Sequence, residues 1–175
     1  MRGFQIVNCF MKKEIFRGKV ISLFIERIKK SGNVFRERVY LPDSVNIFPF
    51  TENGKIRLIK ERRWENKNRP IIKIISGLVN KNEKPLNAAK RELMEEVGLK
   101  AVLWQKIFTI KQEGTVNQNR HYYIAKKLKR VARGEKNIIG FKDYTLNELL
   151  NFVLEERFGI TTSAVIIKLY NKMFC

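Results

Sequence analysis

Apolar positions along the chain gather first in short runs of β-branched and aromatic residues, at 15–26, 34–41, 44–50 and 56–62, which predicts strands. Turn signals separate these runs. They are Lys30-Ser31-Gly32-Asn33, Pro42-Asp43 and Glu52-Asn53-Gly54, the first and last suited to hairpin connections. The pattern then changes period: Leu86, Ala89, Leu93 and Val97 recur at three and four residues, a core stripe on a helix spanning about Pro85–Val97. Pro85 suits the first helical position and Gly98 the left-handed residue that ends a helix, leaving Lys90, Arg91, Glu95 and Glu96 elsewhere on the cylinder. Beyond it, 102–110 and 121–125 read as strands, 146–156 as an amphipathic helix, and 162–173 as a terminal helix capped by Thr161 or Thr162. The predicted class is mixed α/β, and the four prolines fall where turns or helix starts are indicated.

No repeat, low-complexity run or flexible linker divides the chain, so residues 1–175 are expected to form one domain. No window approaches the run of about 20 apolar residues that a membrane helix needs, and the N-terminus lacks a convincing cleavage site. A membrane partner and export are therefore not expected. Met11, followed by Lys12 and Lys13, reads as an alternative start, with residues 1–10 as an extension. The two cysteines, Cys9 and Cys175, lie near opposite ends without zinc-site spacing, which points to a reducing cytoplasm, with a disulfide between the termini as the alternative.

Charge changes the picture. Lys and Arg number 36 against 17 Asp and Glu, a formal +19 spread along the whole chain. Such a field concentrates anionic ligands, from nucleotides to RNA, and says nothing about fold. A surface simply rich in lysine explains it equally well, because no dense basic block with interleaved aromatics stands out.

Against that background the acidic residues of the central helix are informative. Glu92, Glu95 and Glu96 stand at i, i+3 and i+4, so their carboxylates converge on one side of the helix, within about 5 to 6 Å at the Cβ level. Three clustered anions repel one another unless a cation holds them, and Mg²⁺ prefers hard oxygen ligands of this kind while retaining waters for itself and for phosphates. Segment 77–99, GLVNKNEKPLNAAKRELMEEVGL, contains more than these acids. It resembles the Nudix box, G-x5-E-x7-R-E-U-x-E-E-x-G-U with U aliphatic, at Gly77, Glu83, Arg91, Glu92, Leu93, Glu95, Glu96, Gly98 and Leu99. An accidental match is on the order of 10⁻⁷ or less.

The resemblance implies a Nudix fold, a mixed sheet sandwiched between helices with an N-terminal antiparallel hairpin over about 13–42. It also implies Mg²⁺, with Mn²⁺ as the alternative ion, held by Glu92, Glu95 and Glu96 near the Gly77 carbonyl, while Arg91 and Glu83 brace the loop-helix-loop. Outside the box, the order of elements is similar to the ADP-ribose pyrophosphatase branch, in the hairpin around Phe16-Arg17-Gly18-Lys19-Val20, in Leu58-Ile59-Lys60-Glu61-Arg62-Arg63 and in Tyr122-Tyr123-Ile124-Ala125. This implies Arg63 on the substrate, a homodimer, and hydrolysis of ADP-ribose or a related dinucleotide such as FAD or NADH to AMP and a phosphorylated moiety; apart from the resemblance, Trp64 is an aromatic candidate for stacking on a nucleobase, with Tyr122, Tyr123 and Phe141. Two departures stand out. Lys73 occupies a position where members carry a carboxylate, and Asn137 falls where a late catalytic glutamate belongs, leaving Glu135 as the candidate general base and Glu113, in the loop 111–119, as a second. Two other readings stay open: a pyrophosphohydrolase of RNA 5′ ends, favoured by the +19 charge, and a non-catalytic polyanion-binding module, favoured by Lys73 and Asn137. Tyr122, Tyr123 and Phe141 are expected in the core more often than on a nucleobase. His121, the single histidine, is expected as a polar residue at a strand end and not as a ligand.

Overall fold

A computed structural model describes residues 11–28, 34–62, 69–131 and 138–174. In chain order these form β1 (Met11–Arg17), β2 (Ser22–Ile28), β3 (Val34–Tyr40), β4 (Ser44–Pro49), β5 (Ile56–Arg62), β6 (Pro70–Lys73), β7 (Ile75–Leu78), α1 (Pro85–Val97), β8 (Leu99–Gln112), β9 (Val116–Arg130), β10 (Ile138–Tyr144), α2 (Leu146–Leu154) and α3 (Ile160–Phe174). The class is mixed α/β, as expected. The apolar segment 15–26 spans two strands, joined by the hairpin turn implied around residues 16–20. The chain reverses at residues 18–21, where the Gly18 N–H donates to the Ile21 carbonyl at 2.8 Å, and β1 and β2 pair antiparallel.

Long β9 organises the larger sheet. Its first residues pair in parallel with Val39 and Tyr40 of β3, its middle pairs in parallel with all of β4, and its other edge pairs antiparallel with β8. β7 extends the sheet beyond β4, giving the order β1-β2-β3-β9-β4-β7 with β8 across β9. A second sheet has the order β10-β5-β6. The chain passes from β4 to β5 through the turn predicted at Glu52-Asn53-Gly54, closed by a Thr51 N–H to Lys55 carbonyl bond of 2.8 Å with Gly54 at φ 71°.

Alternation along the strands divides the core into two layers. Val45 and Ile47 of β4, Ile59 of β5 and Tyr123 and Ala125 of β9 pack with Ala88, Ala89, Leu93 and Val97 of α1. Their neighbours Phe48, Ile56, Leu58, Tyr122 and Ile124 pack instead with Leu146 and Leu149 of α2 and Val165, Ile166 and Leu169 of α3. Successive strand residues point to opposite faces, so the sheets lie between α1 on one side and α2 and α3 on the other. The apolar stripe of α1 is thereby fixed, and with it the direction of the acidic turn.

Several expectations are corrected. β8 and β9 run well past 102–110 and 121–125, because they form one long hairpin whose outer stretches are half-buried or exposed and rich in polar side chains. The loop expected at 111–119 shrinks to residues 113–115, and His121 sits inside β9 instead of at a strand end. Strands β6, β7 and β10 were not foreseen. The two first are only four residues each, too short for a period to register. Pro49 closes β4 and Pro70 opens β6, both at strand ends where a missing N–H is tolerated. α2 stops at Leu154, before Glu156 at φ 55°, and starts with a capping box in which Thr145 and Glu148 bond reciprocally. α3 begins at Ile160, so neither Thr161 nor Thr162 caps it. The Thr161 hydroxyl instead accepts from Arg120 Nη1 at 3.1 Å.

Candidate active site

The loop before α1 and the helix itself are joined by one arginine. Arg91 donates from Nε and Nη2 to the two oxygens of Glu83 at 3.1 and 3.0 Å, and from Nη2 to the Leu78 carbonyl at 2.9 Å. The Asn80 N–H also donates to Glu83 at 3.0 Å, closing the loop on itself. Hydrogen bonds from Arg91, and then from Asn80, hold the Glu83 carboxyl below its ordinary range, while Arg91 is held above its own, chiefly by Glu83. The remaining nitrogen, Nη1, donates to Glu92 at 2.7 Å and to Glu95 at 2.9 Å. A single guanidinium therefore spans the loop and two acids of the helix.

Gly77 has a steric role. A Cβ built there would lie 1.9 Å from Glu92 Cδ and 2.0 Å from its Oε1, so any other residue would collide with that carboxylate. The backbone before the loop thus lies directly against Glu92. Upstream, the Asp43 carbonyl accepts from the Val79 N–H at 2.7 Å, and the Asp43 carboxylate takes His121 Nε2 at 3.1 Å. Thr109 meets the other ring nitrogen of His121 at 2.9 Å, so this buried histidine is partnered on both sides. It anchors the strands that carry the loop.

Glu96 points elsewhere. It is 5% exposed, next to the apolar stripe of α1 and not apart from it, and its Oε2 accepts from the Ser76 N–H at 3.1 Å. Its Oε1 meets Lys73 Nζ at 3.1 Å, and the same ammonium lies 3.2 Å from Glu61 Oε2. Burial pushes the Glu96 carboxyl up to about 7, although Lys73 and the Ser76 N–H pull it down; the Glu92 charge pushes it the same way as burial. Sequence reasoning placed Lys73 here only as a departure from a pattern and missed Glu61 altogether. Its one signal was an acid within the otherwise basic run 60–63, on a strand buried at alternate positions.

The structure thus brings Gly77, Glu83, Arg91, Glu92 and Glu95 into one constellation, while Glu96, expected to converge with Glu92 and Glu95, turns to Lys73 and the Ser76 N–H instead. Arg63, Trp64, Glu135, Asn137, Cys9 and Cys175 lie outside the described residues. Glu113 is exposed in the β8–β9 turn. Tyr122 and Tyr123 are buried in the two core layers, while Phe141 is 45% exposed with the Arg57 guanidinium 4.4 Å from its ring.

For a divalent cation the donors are right in kind: hard carboxylate oxygens, two of them on largely buried side chains, and backbone packed against Glu92. Among the described residues no three acidic, histidine or cysteine side chains are already drawn together around one point. Arg91 and Lys73 hold the acids in this arrangement. A carboxylate oxygen has two lone pairs, so these bonds leave acceptor capacity for an ion.

The raised Glu96 carboxyl gives a pH prediction. In the unfolded chain it titrates near its ordinary value of 4.5, and in the folded chain near 7, so between these values the folded state keeps a proton that the unfolded state has lost. Stability is then lost as pH rises through that window. Thermal melts in EDTA should show the protein losing more stability between pH 5 and pH 8 than Glu96→Gln does. Parallel curves for the two proteins would contradict the buried, proton-binding state of Glu96.

Residues 40–156 match the model of the NUDIX domain. The chain is 32% identical over 149 residues to the ADP-ribose pyrophosphatase of Bacillus subtilis (strain 168), covering 81% of this chain and 80% of that one. It is 29% identical over 152 residues to the methanol dehydrogenase activator of Bacillus methanolicus, covering 83% and 82%. A solved structure of an ADP compounds hydrolase superposes with a TM-score of 0.72 over 93% of this chain and 92% of that one, at 18% identity, which speaks to the fold. With its box complete and its domain matched over most of its length, the chain belongs to the Nudix hydrolase family.

Proposed function

We propose that this Nudix hydrolase cleaves the diphosphate linkage of a nucleoside diphosphate derivative, with ADP-ribose first among the candidates and dinucleotides such as FAD or NADH after it. The observation that carries the reading is the acidic turn of α1, with Glu92 and Glu95 braced by Arg91 against the loop that begins at Gly77 and Glu96 held beside them by Lys73 and the Ser76 N–H. The likeness to an ADP-ribose pyrophosphatase over four-fifths of the chain supports the choice of substrate.

In this reading Glu92, Glu95 and Glu96, with the Gly77 carbonyl, hold Mg²⁺, or Mn²⁺ in its place. An ion held there would neutralise charge on the diphosphate and would acidify a coordinated water towards a usable nucleophile. Glu95, the most exposed of the three, would be the one open to solvent and substrate, while the more buried Glu92 and Glu96 would hold the ion from the protein side. Arg91 does not need to touch substrate; it sets the angle of two carboxylates through charge-assisted bonds. Arg63 on the substrate, Trp64 on the base and Glu135 as general base complete the assignment from the sequence pattern.

The formal +19 favours a second reading, hydrolysis at RNA 5′ ends. One panel separates the two. Mg²⁺-dependent turnover is expected to be fastest on ADP-ribose or a dinucleotide, releasing AMP, and to fall on the order of 100-fold in Glu96→Gln. Faster turnover of capped or triphosphorylated RNA, declining steeply with salt, would move the assignment to RNA. Unchanged turnover in Glu96→Gln would remove the mechanism.

A second copy of the chain is the proposed partner. Ile15, Phe16, Val20, Ile21 and Phe35 are 41 to 62% exposed on the β1-β2-β3 extension, an apolar surface that a homodimer would cover. Light scattering after gel filtration should give the mass of two chains, and Phe16→Asp with Phe35→Asp should give one. A single-chain mass for the unaltered protein would refute the dimer.

A further inference from the structure

Around α1 the described residues place five carboxylates, Glu61, Glu83, Glu92, Glu95 and Glu96, in contact with two cations, Arg91 and Lys73. The two cations divide the work. Arg91 serves the loop side, Glu83, Glu92 and Glu95, whereas Lys73 serves Glu61 and Glu96. These last two acids come from different elements, β5 and α1, and meet at one nitrogen contributed by β6. They are also the most buried acids of the group, at 7% and 5% exposure.

Two carboxylates converging within hydrogen-bond distance of one point, largely shielded from bulk water, form a cation site by their own chemistry. The mutual repulsion of buried like charges is large unless positive charge lies between them. A lysine ammonium is a compact point charge with three donors, so it can face two carboxylates at once, and here it does so at 3.2 and 3.1 Å. The second oxygen of Glu96 already has the Ser76 N–H, so Glu96 relies on Lys73 for its positive charge. Lys73 itself is held on a strand paired with β5, opposite Ile59, so the backbone fixes where its side chain starts.

We propose that Lys73 is a built-in cation of the carboxylate centre. Its ammonium holds a position between Glu61 and Glu96 that a divalent ion would otherwise fill, so the protein binds one divalent ion fewer there than its acids alone would take. The inference rests on the reading of the acidic turn as a metal centre, and it concerns how many ions that centre holds. Lys73 does not meet substrate in this account; it sets ion number and keeps Glu96 in place.

Counting bound Mn²⁺ by the loss of the free-ion paramagnetic resonance signal at pH 8, without substrate, tests this. Lys73→Gln should bind one more Mn²⁺ per chain than the unaltered protein, and Lys73→Arg should bind the unaltered number. Equal counts of one or more in the unaltered protein and Lys73→Gln overturn the built-in cation while leaving the metal centre intact. No ion on either protein overturns both ideas. No ion on the unaltered protein but one on Lys73→Gln upholds the built-in cation and overturns metal-dependent catalysis instead. Should Lys73→Gln fail to fold, the unaltered protein still decides the matter: the Lys73 ammonium resonance in a ¹⁵N-labelled sample should persist at saturating Mg²⁺, and its disappearance on adding Mg²⁺ overturns the proposal.

Discussion

The arrangement of this site depends on one electrostatic constraint: acids packed around a single helical turn, partly or wholly out of water, must be matched by cations held at fixed points. Arg91 meets this on one side by bonding to Glu83, Glu92, Glu95 and the Leu78 carbonyl at once. Lys73 meets it on the other by lying between Glu61 and Glu96. Charge-assisted bonds of this kind are strong where solvent is excluded, and losing one partner leaves a buried charge exposed to the full cost of desolvation. The same bonds that hold the turn together also determine how many acceptor sites remain for a metal ion and its substrate.

Packing serves that constraint. Ala88, Ala89, Leu93 and Val97 fix the rotation of α1 against β4 and β7, so Glu96 is forced inward beside the stripe and Glu92 towards the loop. The absence of a side chain at Gly77 allows the strand to approach the Glu92 carboxylate. Gly98, at φ 68°, turns the chain out of the helix into β8, its N–H donating to the Met94 carbonyl at 2.8 Å. Asp43 and His121 tie the same loop to the centre of the larger sheet.

The helix and the acids it carries were legible in the sequence because each of their signals is local. Pro85, the three-and-four spacing of the apolar stripe, Gly98 and the acid triplet all act within a few turns, and they fix the helix bounds at Pro85–Val97. What could not be read was non-local. The pairing of β3 and β4 with different stretches of β9, and the separate β10-β5-β6 sheet, depend on partners far apart in the chain. β6 and β7 are too short to show a period, and the charged ends of β8 and β9 masked their length. Glu61 and Lys73 show the same limit at the site: each is an ordinary charged residue in its own strand, and only the pairing of β5 with β6 brings both to Glu96.

Hydrolysis by this site requires that the acidic face of α1 hold a divalent ion. Crystals soaked with Mn²⁺ and a non-hydrolysable nucleoside diphosphate analogue test this directly through anomalous scattering. The predicted result is a peak at inner-sphere distance, about 2.2 Å, from oxygens of Glu92 and Glu96, with the diphosphate of the analogue on its open side. A map with no peak at that turn, or with the ion and analogue bound elsewhere while Arg91 and Lys73 keep the acids, would contradict it.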